Sequence, residues 1–524
     1  LKPVSNTLTR RKKIWGWGWE GEELTQEERK IVDLALSFFP SPPDPLPPFP
    51  KEEELPTPES RLKTFPFPWI SRSPYDRWIC ARGKGYKDLV ELRLQKGISL
   101  PDGVAFPTSP EEIKELLLWA SYEKIAIVPF GGGTTVTEGI RVELPAGFRG
   151  VIVVALKDMK KIRWVSDVDY LVEGEGGVTG PELEDTLKPY NLTFRHYPQS
   201  YEFSTLGGWV ATRSAGHYSH REGRIEERIY ALEVVTPSLG ILKIPLTAPL
   251  SSIGQDPNSL FIGSEGTLGI ITSVVGTLKP TPIYRKTLRF YFPDFHKALE
   301  GIRAVLQRGI SPAQIRALDE METLLFGEGE GATVLVGVEG SYPKENELDE
   351  IARIFFRFSG KEKERKEGEG GYRSLFFRQP YIRDILVDRG FVAETFETGT
   401  LWRNAFHLYK KVREALHPFL QKKGGGILSA RTTHTYPEGT SLYFTTLFPS
   451  REGKWIEDWE ELKTVATKAI LSSGGTLSHH HACGKTHLPW AEEEYPTEWW
   501  KILRKIKKEL DPSGILNPWI LIPP

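Results

Sequence analysis

Pro129-Phe130-Gly131-Gly132-Gly133-Thr134-Thr135 is the stretch from which the fold can be read outward. It follows Ile125 to Val128, an apolar run with the length of a short buried strand, and Phe130 stands at the end of that run. Three consecutive glycines let the backbone turn tightly and approach a ligand with no Cβ in the way. The threonines add hydroxyls, so one turn offers several N–H and O–H donors to an anion, which is the chemistry of a phosphate or pyrophosphate nest. The turn has neither the Rossmann dinucleotide spacing nor the lysine of the nucleotide-triphosphate loop. An ordinary tight turn after a strand is the plain alternative.

Just upstream, Gly103 to Phe106 reads as a strand. Ser109-Pro110-Glu111-Glu112 caps a helix whose apolar face includes Ile113, Leu116, Leu117 and Ala120. With the strand at Ile125 this makes a β-α-β unit. Val151 to Ala155 and Tyr170 to Glu173 are further strands, and Gly180-Pro181-Glu182-Leu183 opens a helix. Two more glycine-rich stretches follow, at residues 202–212 (EFSTLGGWVAT) and 263–272 (GSEGTLGIIT). Glycines and hydroxyls of this kind can pack backbone against a flat ring system and bond its edges, though each could also be a simple loop.

From about Tyr284 the texture changes to strands at Thr287 to Phe292 and Thr333 to Val338, alternating with helices at His296 to Gln307 and Glu347 to Phe358. That pattern predicts an α+β domain on an antiparallel sheet. The charged run Lys361 to Gly370 reads as a solvated loop. A helix over Trp402 to Lys422, strands at Ile427 to Thr433 and Ser441 to Leu447, and a helix over Glu498 to Leu510 complete this part. Residues 1–100 read as an extension: Trp15, Trp17 and Trp19 alternate with glycines, Thr25 to Glu28 is a capping box, and residues 41–59 are proline-rich and acidic. The expected divisions are therefore 1–100, 101–282, 283–480 and a C-terminal segment 481–524.

The 524 residues, 39% apolar and 26% charged, suit a soluble protein of two or three domains. A net charge of −1 gives no basic field for nucleic acid, and none is expected as a partner. Two cysteines, Cys80 and Cys483, imply no disulfide framework, and the scarcity of Cys and Met suggests a heat-adapted source. No apolar h-region is seen at the N-terminus and no peroxisomal address at Leu521 to Pro524, so the expected location is cytoplasmic.

In this order, the three glycine-rich stretches resemble the flavin domain of the vanillyl-alcohol oxidase and p-cresol methylhydroxylase family. The segments PFGGGTTV (129–136), SYEFSTLGGWVATRSAG (200–216), IRALD (315–319), ETFET (394–398), ARTTHTYPEGTSLYF (430–444) and GGTLSHHHACGK (474–485) narrow the resemblance to the alkyl-dihydroxyacetonephosphate synthase family. The similarity runs from roughly Trp15 to the C-terminus. It implies an α+β fold with a two-part FAD-binding domain of the vanillyl-alcohol oxidase type, an α+β cap domain with an antiparallel sheet, and an N-terminal helical extension.

The resemblance also implies FAD and its site. Pro129, Gly131, Gly132, Gly133, Thr134, Thr135, Val136 and Thr137 would hold the pyrophosphate. Ser200, Glu202, Ser204, Thr205, Gly208, Thr212, Arg213, Ser214 and Ala215, with Glu265, Gly266, Thr267, Leu268, Gly269, Ile270 and Ile271, would complete the cofactor site. Arg316 would sit near the flavin, Arg431 would bind a substrate phosphate, Tyr443 would be the acid/base, and His479, His480 and His481 would flank the reacting carbon. The implied reaction exchanges the acyl group of acyl-dihydroxyacetone phosphate for a fatty alcohol through a covalent flavin adduct, without net redox change. Peripheral membrane contact and a homodimer are further expectations.

Read from the residues themselves, an ion-pair arginine and a buried core tyrosine are the plain alternatives for Arg431 and Tyr443. A catalytic tyrosine would need its pKa lowered by cations. On a strand, His479 and His481 would share a face with Cys483, which leaves zinc as a competing idea, although consecutive ligands are unusual and no metal is expected. Three departures from the family stand out: Gln199 replaces an Asp, the segment between Asp319 and Thr333 is short, and the animal enzymes' N-terminal peroxisomal address is missing. The rival reading is an FAD-dependent 2-hydroxy acid dehydrogenase of the D-lactate or glycolate type, whose HxGDGNxH-like metal stretch has no counterpart in Arg431 to Glu438. A flavin-carrying lipid-binding protein without turnover is a third.

Overall fold

The computed structural model describes residues 10–246, 251–326, 329–368 and 372–522. The readings at residues 1–9, at the 369–370 end of the charged run and at Pro523-Pro524 lie outside them.

The Ile125–Phe130 strand pairs in parallel with Gly150–Ala155, which pairs in parallel with Gly103–Ala105. All three are almost wholly buried, as strands covered on both faces must be. The Pro110–Glu123 helix packs its Ile113, Leu116, Leu117 and Ala120 stripe against them, and the Ser109 hydroxyl accepts the Glu112 N–H at its start. The C-terminal segment returns here: Ile127 donates to Ile515, and Asn517 donates back to Ile127. Beside this unit lies a five-stranded antiparallel sheet in the spatial order Ile162–Ser166, Leu171–Glu175, Ile270–Thr277, Ile229–Thr236, Gly240–Lys243. The two sheets bring the three glycine-rich stretches to one place.

The remaining sheet has seven antiparallel strands, ordered Lys361–Glu367, Tyr284–Phe292, Ala332–Gly340, Gln314–Leu318, Ile427–Thr435, Gly439–Pro449, Phe391–Leu401. Period-two alternation gives it two unlike faces. Ile315, Ala317, Phe396, Leu428, Ala430, Leu442 and Phe444 join the main apolar core under the helices Phe295–Leu306, Trp402–Lys422 and Trp455–Ser472. The intervening residues, among them Arg316, Glu397, Arg431 and Tyr443, point the other way. Among the described residues no helix is long and apolar enough to cross a membrane.

Two expectations change. The charged run is not a loop. Lys361–Glu367 is an edge strand paired to Tyr284–Phe292, and its alternating Lys and Glu side chains leave a mostly charged, exposed strand that discourages further pairing. Residue 100 is also no break in packing. Ile70–Ser71 forms the edge of the first sheet by pairing with Val104 and Ala105, and Tyr86 and Val90 enter the core of the seven-stranded domain. These contacts tie the extension to both halves, and it is braced within itself, Trp15 Nε1 donating to Leu89 O and the Arg93 guanidinium lying 3.7 Å from the Trp15 ring.

Candidate active site

Cross-strand register assembles the site. Glu397 lies opposite Tyr443, Tyr443 opposite Arg431, and Arg431 opposite Leu318, two residues from Arg316. Opposed residues share a face, so strands distant in sequence present a carboxylate, a phenol and two guanidiniums side by side.

Glu397 organises the histidine run. Its carboxylate accepts the backbone N–H groups of His479 at 2.7 Å, His480 at 3.0 Å and His481 at 3.0 Å, and the Ser478 hydroxyl at 2.7 Å. The run is therefore a bent loop wrapped around an anion and not a strand, because all three N–H groups converge on one partner. The imidazoles end up close together: His479 Nδ1 and His480 Nδ1 are 3.2 Å apart, and the Tyr436 hydroxyl is 3.0 Å from His479 Nε2. Burial raises the Glu397 pKa, but the three histidines, His480 foremost, together outweigh it and hold the carboxyl well below its usual range.

A fourth imidazole completes the cluster. His434 is buried, stacks on His479 at 5.1 Å and meets His480 edge-on at 5.2 Å. A bulge between Thr432 and Thr435 breaks the alternation of its strand there. Ring nitrogens of His434, His479 and His480 lie within 4.8 Å of one another. This set replaces the His479, His481, Cys483 grouping expected for a strand. Cys483 is drawn aside, its N–H bonded to Glu265 at 2.9 Å.

The two arginines are both buried. Arg316 Nη2 donates to His217 O at 3.4 Å and its guanidinium lies 5.0 Å from the Phe376 ring. Arg431 pairs with Glu322 at 2.6 Å, donates to Gln379 at 2.8 Å and lies 4.6 Å from the Tyr443 ring. An ion pair of this kind aims the guanidinium fork and also competes for it. Gln199 likewise turns toward the Tyr372–Asp388 helix, donating to Phe376 O and Gln379. Burial raises the Tyr443 pKa in spite of Arg431, so the phenol is held protonated instead of being lowered as a catalytic tyrosine was expected to be.

The glycine-rich stretches abut one another and this cluster. A Cβ on Gly131 or Gly132 would run into Thr205 or the Phe203 carbonyl, and one on Gly266 would sit 2.8 Å from Pro129. Gly133 has φ +74°, a conformation that side chains disfavour. Among the described residues, no N–H from Gly132 to Val136 donates to a protein acceptor, which is the donor set an anion nest requires. The Thr137 hydroxyl donates to His481 O at 3.0 Å, and Gly484 N donates to Glu265 at 2.9 Å. His434 Nε2 lies 3.0 Å from Gly216 O, directly after Ala215.

Other expected cofactor residues do structural work as well. Ser204 accepts from Trp209 Nε1, the Thr212 hydroxyl donates to Gly208 O, and Ser214 bonds His196. Arg213 reaches outward to Glu226. Leu268, Ile270 and Ile271 send their side chains into the core, which leaves their backbone for a ligand.

These environments set an acid limit on stability. Burial lowers the pKa of His196, His434 and His479 well below 6.5, His220 and His487 to about 4, and His481 to about 3. As pH falls below 6.5 the unfolded chain takes up protons these six refuse. Burial raises Asp88, Glu265 and Asp319 to about 7 and also pushes Glu202 and Glu494 up, five acids that act in the opposite sense between about 4 and 7. The histidines outnumber the acids, so unfolding free energy should fall from pH 6.5 to 5, by up to about 1.4 kcal/mol per unit for each histidine in excess. Denaturant melts at stepped pH measure this, and a rise over that interval would refute it.

Two family models match the chain. "FAD binding domain" covers residues 101–243 and "FAD linked oxidases, C-terminal domain" covers residues 281–520. An alkyldihydroxyacetonephosphate synthase of Trypanosoma brucei brucei is 29% identical over 87% of this chain and 78% of its own length. One from Dictyostelium discoideum is 30% identical over 84% and 76%. A solved alkyldihydroxyacetonephosphate synthase structure superimposes with a TM-score of 0.81 at 25% identity, covering 97% of this chain and 98% of that one.

Proposed function

Since the chain belongs to the alkyldihydroxyacetonephosphate synthase family and is an FAD-using enzyme of ether-lipid synthesis, we propose that it exchanges the acyl group of an acyl-dihydroxyacetone phosphate for a long-chain alcohol without net redox change. The observation that carries this reading is the meeting of two arginines, a protonated tyrosine and four imidazoles beside an unsatisfied anion nest.

The nest residues Gly131 to Thr137 hold the FAD pyrophosphate, with Glu265 and the stretch 200–215 completing the cofactor site. When bound, the flavin supplies a nucleophilic nitrogen for covalent exchange. Arg431, aimed by Glu322, takes the substrate phosphate. An imidazole among His479, His480 and His481 accepts the proton from the ester-bearing carbon, and protonated Tyr443 donates to the departing carboxylate. Arg316, bonded beside the 212–216 loop, orients the reacting group. The acyl and alcohol chains are lipid-soluble, so peripheral membrane contact belongs to the same reading.

The test is incubation of the holoenzyme with acyl-dihydroxyacetone phosphate and labelled hexadecanol. An ether-linked product formed without an electron acceptor supports the reading. Dye reduction by D-lactate with no ether product would instead support a 2-hydroxy acid dehydrogenase.

Two substitutions separate cofactor from substrate binding. Gly132→Ala forces a Cβ against the Phe203 carbonyl, an overpacking worth about 1–3 kcal/mol, and should weaken FAD by about tenfold to hundredfold in a fluorescence titration. Arg431→Ala should raise KM for the phosphorylated substrate by at least about tenfold while FAD stays bound. It should also lower stability by about 3–5 kcal/mol, because Glu322 is left buried without its partner. Steady-state kinetics and denaturant melts check the pair.

A further inference from the structure

One cleft joins the N-terminal extension to the glycine turn. Lys12, Trp17 and Lys84 line one side, and Gly132, Gly133 and Thr134 line the other. The strap of residues 12–18 therefore shares a cleft with the turn whose N–H groups lack a protein acceptor among the described residues.

The strap is fastened at several points. The Lys84 backbone N–H donates to Thr135 O at 2.8 Å, while Lys84 Nζ donates to the carbonyls of Lys13 at 3.0 Å and Ile14 at 2.9 Å. One residue thus clamps strap to turn. Trp19 Nε1 donates to Glu202 at 2.7 Å, and the Phe203 ring packs against Trp17 and Trp19 at 5.5 and 5.2 Å. On the far side the Trp17 N–H bonds Asp384.

Lys12 is the residue without an evident structural task. Its ammonium lies 5.3 Å from the Phe203 ring centroid and has no carboxylate or carbonyl partner among the described residues. Burial lowers its pKa and brings that of Lys84 to about 8. Keeping a cation in such a place is costly unless an anion joins it.

We propose that the strap closes the pyrophosphate end of the FAD site and that Lys12 is a cofactor-binding residue supplying counter-charge to the pyrophosphate. This rests on the assignment of the pyrophosphate to the glycine turn. It adds a segment more than a hundred positions upstream to the cofactor site. It also gives the extension a task that its tryptophans alone do not explain.

The test strips flavin from the wild-type protein and from Lys12→Gln, Lys12→Arg and Gly132→Ala, then titrates each with FAD at low and high salt, following flavin fluorescence. Lys12→Gln should weaken FAD by about tenfold and flatten its salt dependence, and Lys12→Arg should restore most of both. Wild-type affinity in Lys12→Gln alongside loss in Gly132→Ala would overturn the role of Lys12 and leave the turn assignment standing. Unchanged affinity in both would overturn the turn assignment too. Equal loss in the Gln and Arg variants, or a lowered melting temperature of flavin-free Lys12→Gln, would assign the effect to strap packing and overturn the charge.

Discussion

Glu397→Ala should lower kcat by at least about hundredfold while FAD remains bound. Glu397 does not need to touch substrate for this. Its carboxylate gathers three consecutive backbone N–H groups and the Ser478 hydroxyl, and so sets where His479, His480 and His481 stand. Hydrogen bonds to a charged acceptor are worth about 1.5–3 kcal/mol each, so the loop loses its main reason to hold this shape. A displacement of about 1 Å at a reacting group can cost about hundredfold in rate. Glu397→Gln keeps one acceptor oxygen but turns an NH2 toward donors, and should recover only part of the rate. A purely structural role would show as lost stability with kcat intact in the protein that remains folded. Rates per bound flavin, taken with melting curves, distinguish the two. A kcat within threefold of wild type for Glu397→Ala would remove the assignment.

Tyr443→Phe should reduce turnover by about 10²–10⁴ while altering stability by no more than about 1.5 kcal/mol. The substitution removes one oxygen and keeps the ring that lies 4.6 Å from the Arg431 guanidinium and 5.5 Å from His481. Burial keeps the phenol protonated, so what disappears is an acid. KM for the phosphorylated ketone should move little, because Arg431 and its ion pair with Glu322 are untouched. FAD absorbance should be unchanged. If kcat holds and KM rises instead, Tyr443 serves binding and the acid must be sought among the imidazoles.

The alternation Ser441-Leu442-Tyr443-Phe444 already carried the sign that Tyr443 faces away from the core, since Leu442 and Phe444 fill it. Judged singly, a tyrosine in an apolar strand reads as core, and that reading missed the face. His434 had no such signal, because a bulge redirects it and bulges leave no periodicity. The strand at Lys361–Glu367 was equally hidden: alternating Lys and Glu suit an exposed edge as well as a loop.

By itself the order of residues determined the strand before the glycine turn, the capped helices, the sequence of three glycine-rich stretches and, through their resemblance, the flavin class. The first two depend on neighbours within a dozen positions, where backbone sterics and periodicity act, and the last two on the order of short motifs along the chain. Tertiary structure alone decided that Glu397 anchors the histidine loop, that Arg431 pairs with Glu322 and that the N-terminal strap shares a cleft with the glycine turn. Each of those joins residues that only the folded sheets bring together. Their energies come from burial and from convergence on a shared partner, quantities that no local stretch of chain contains.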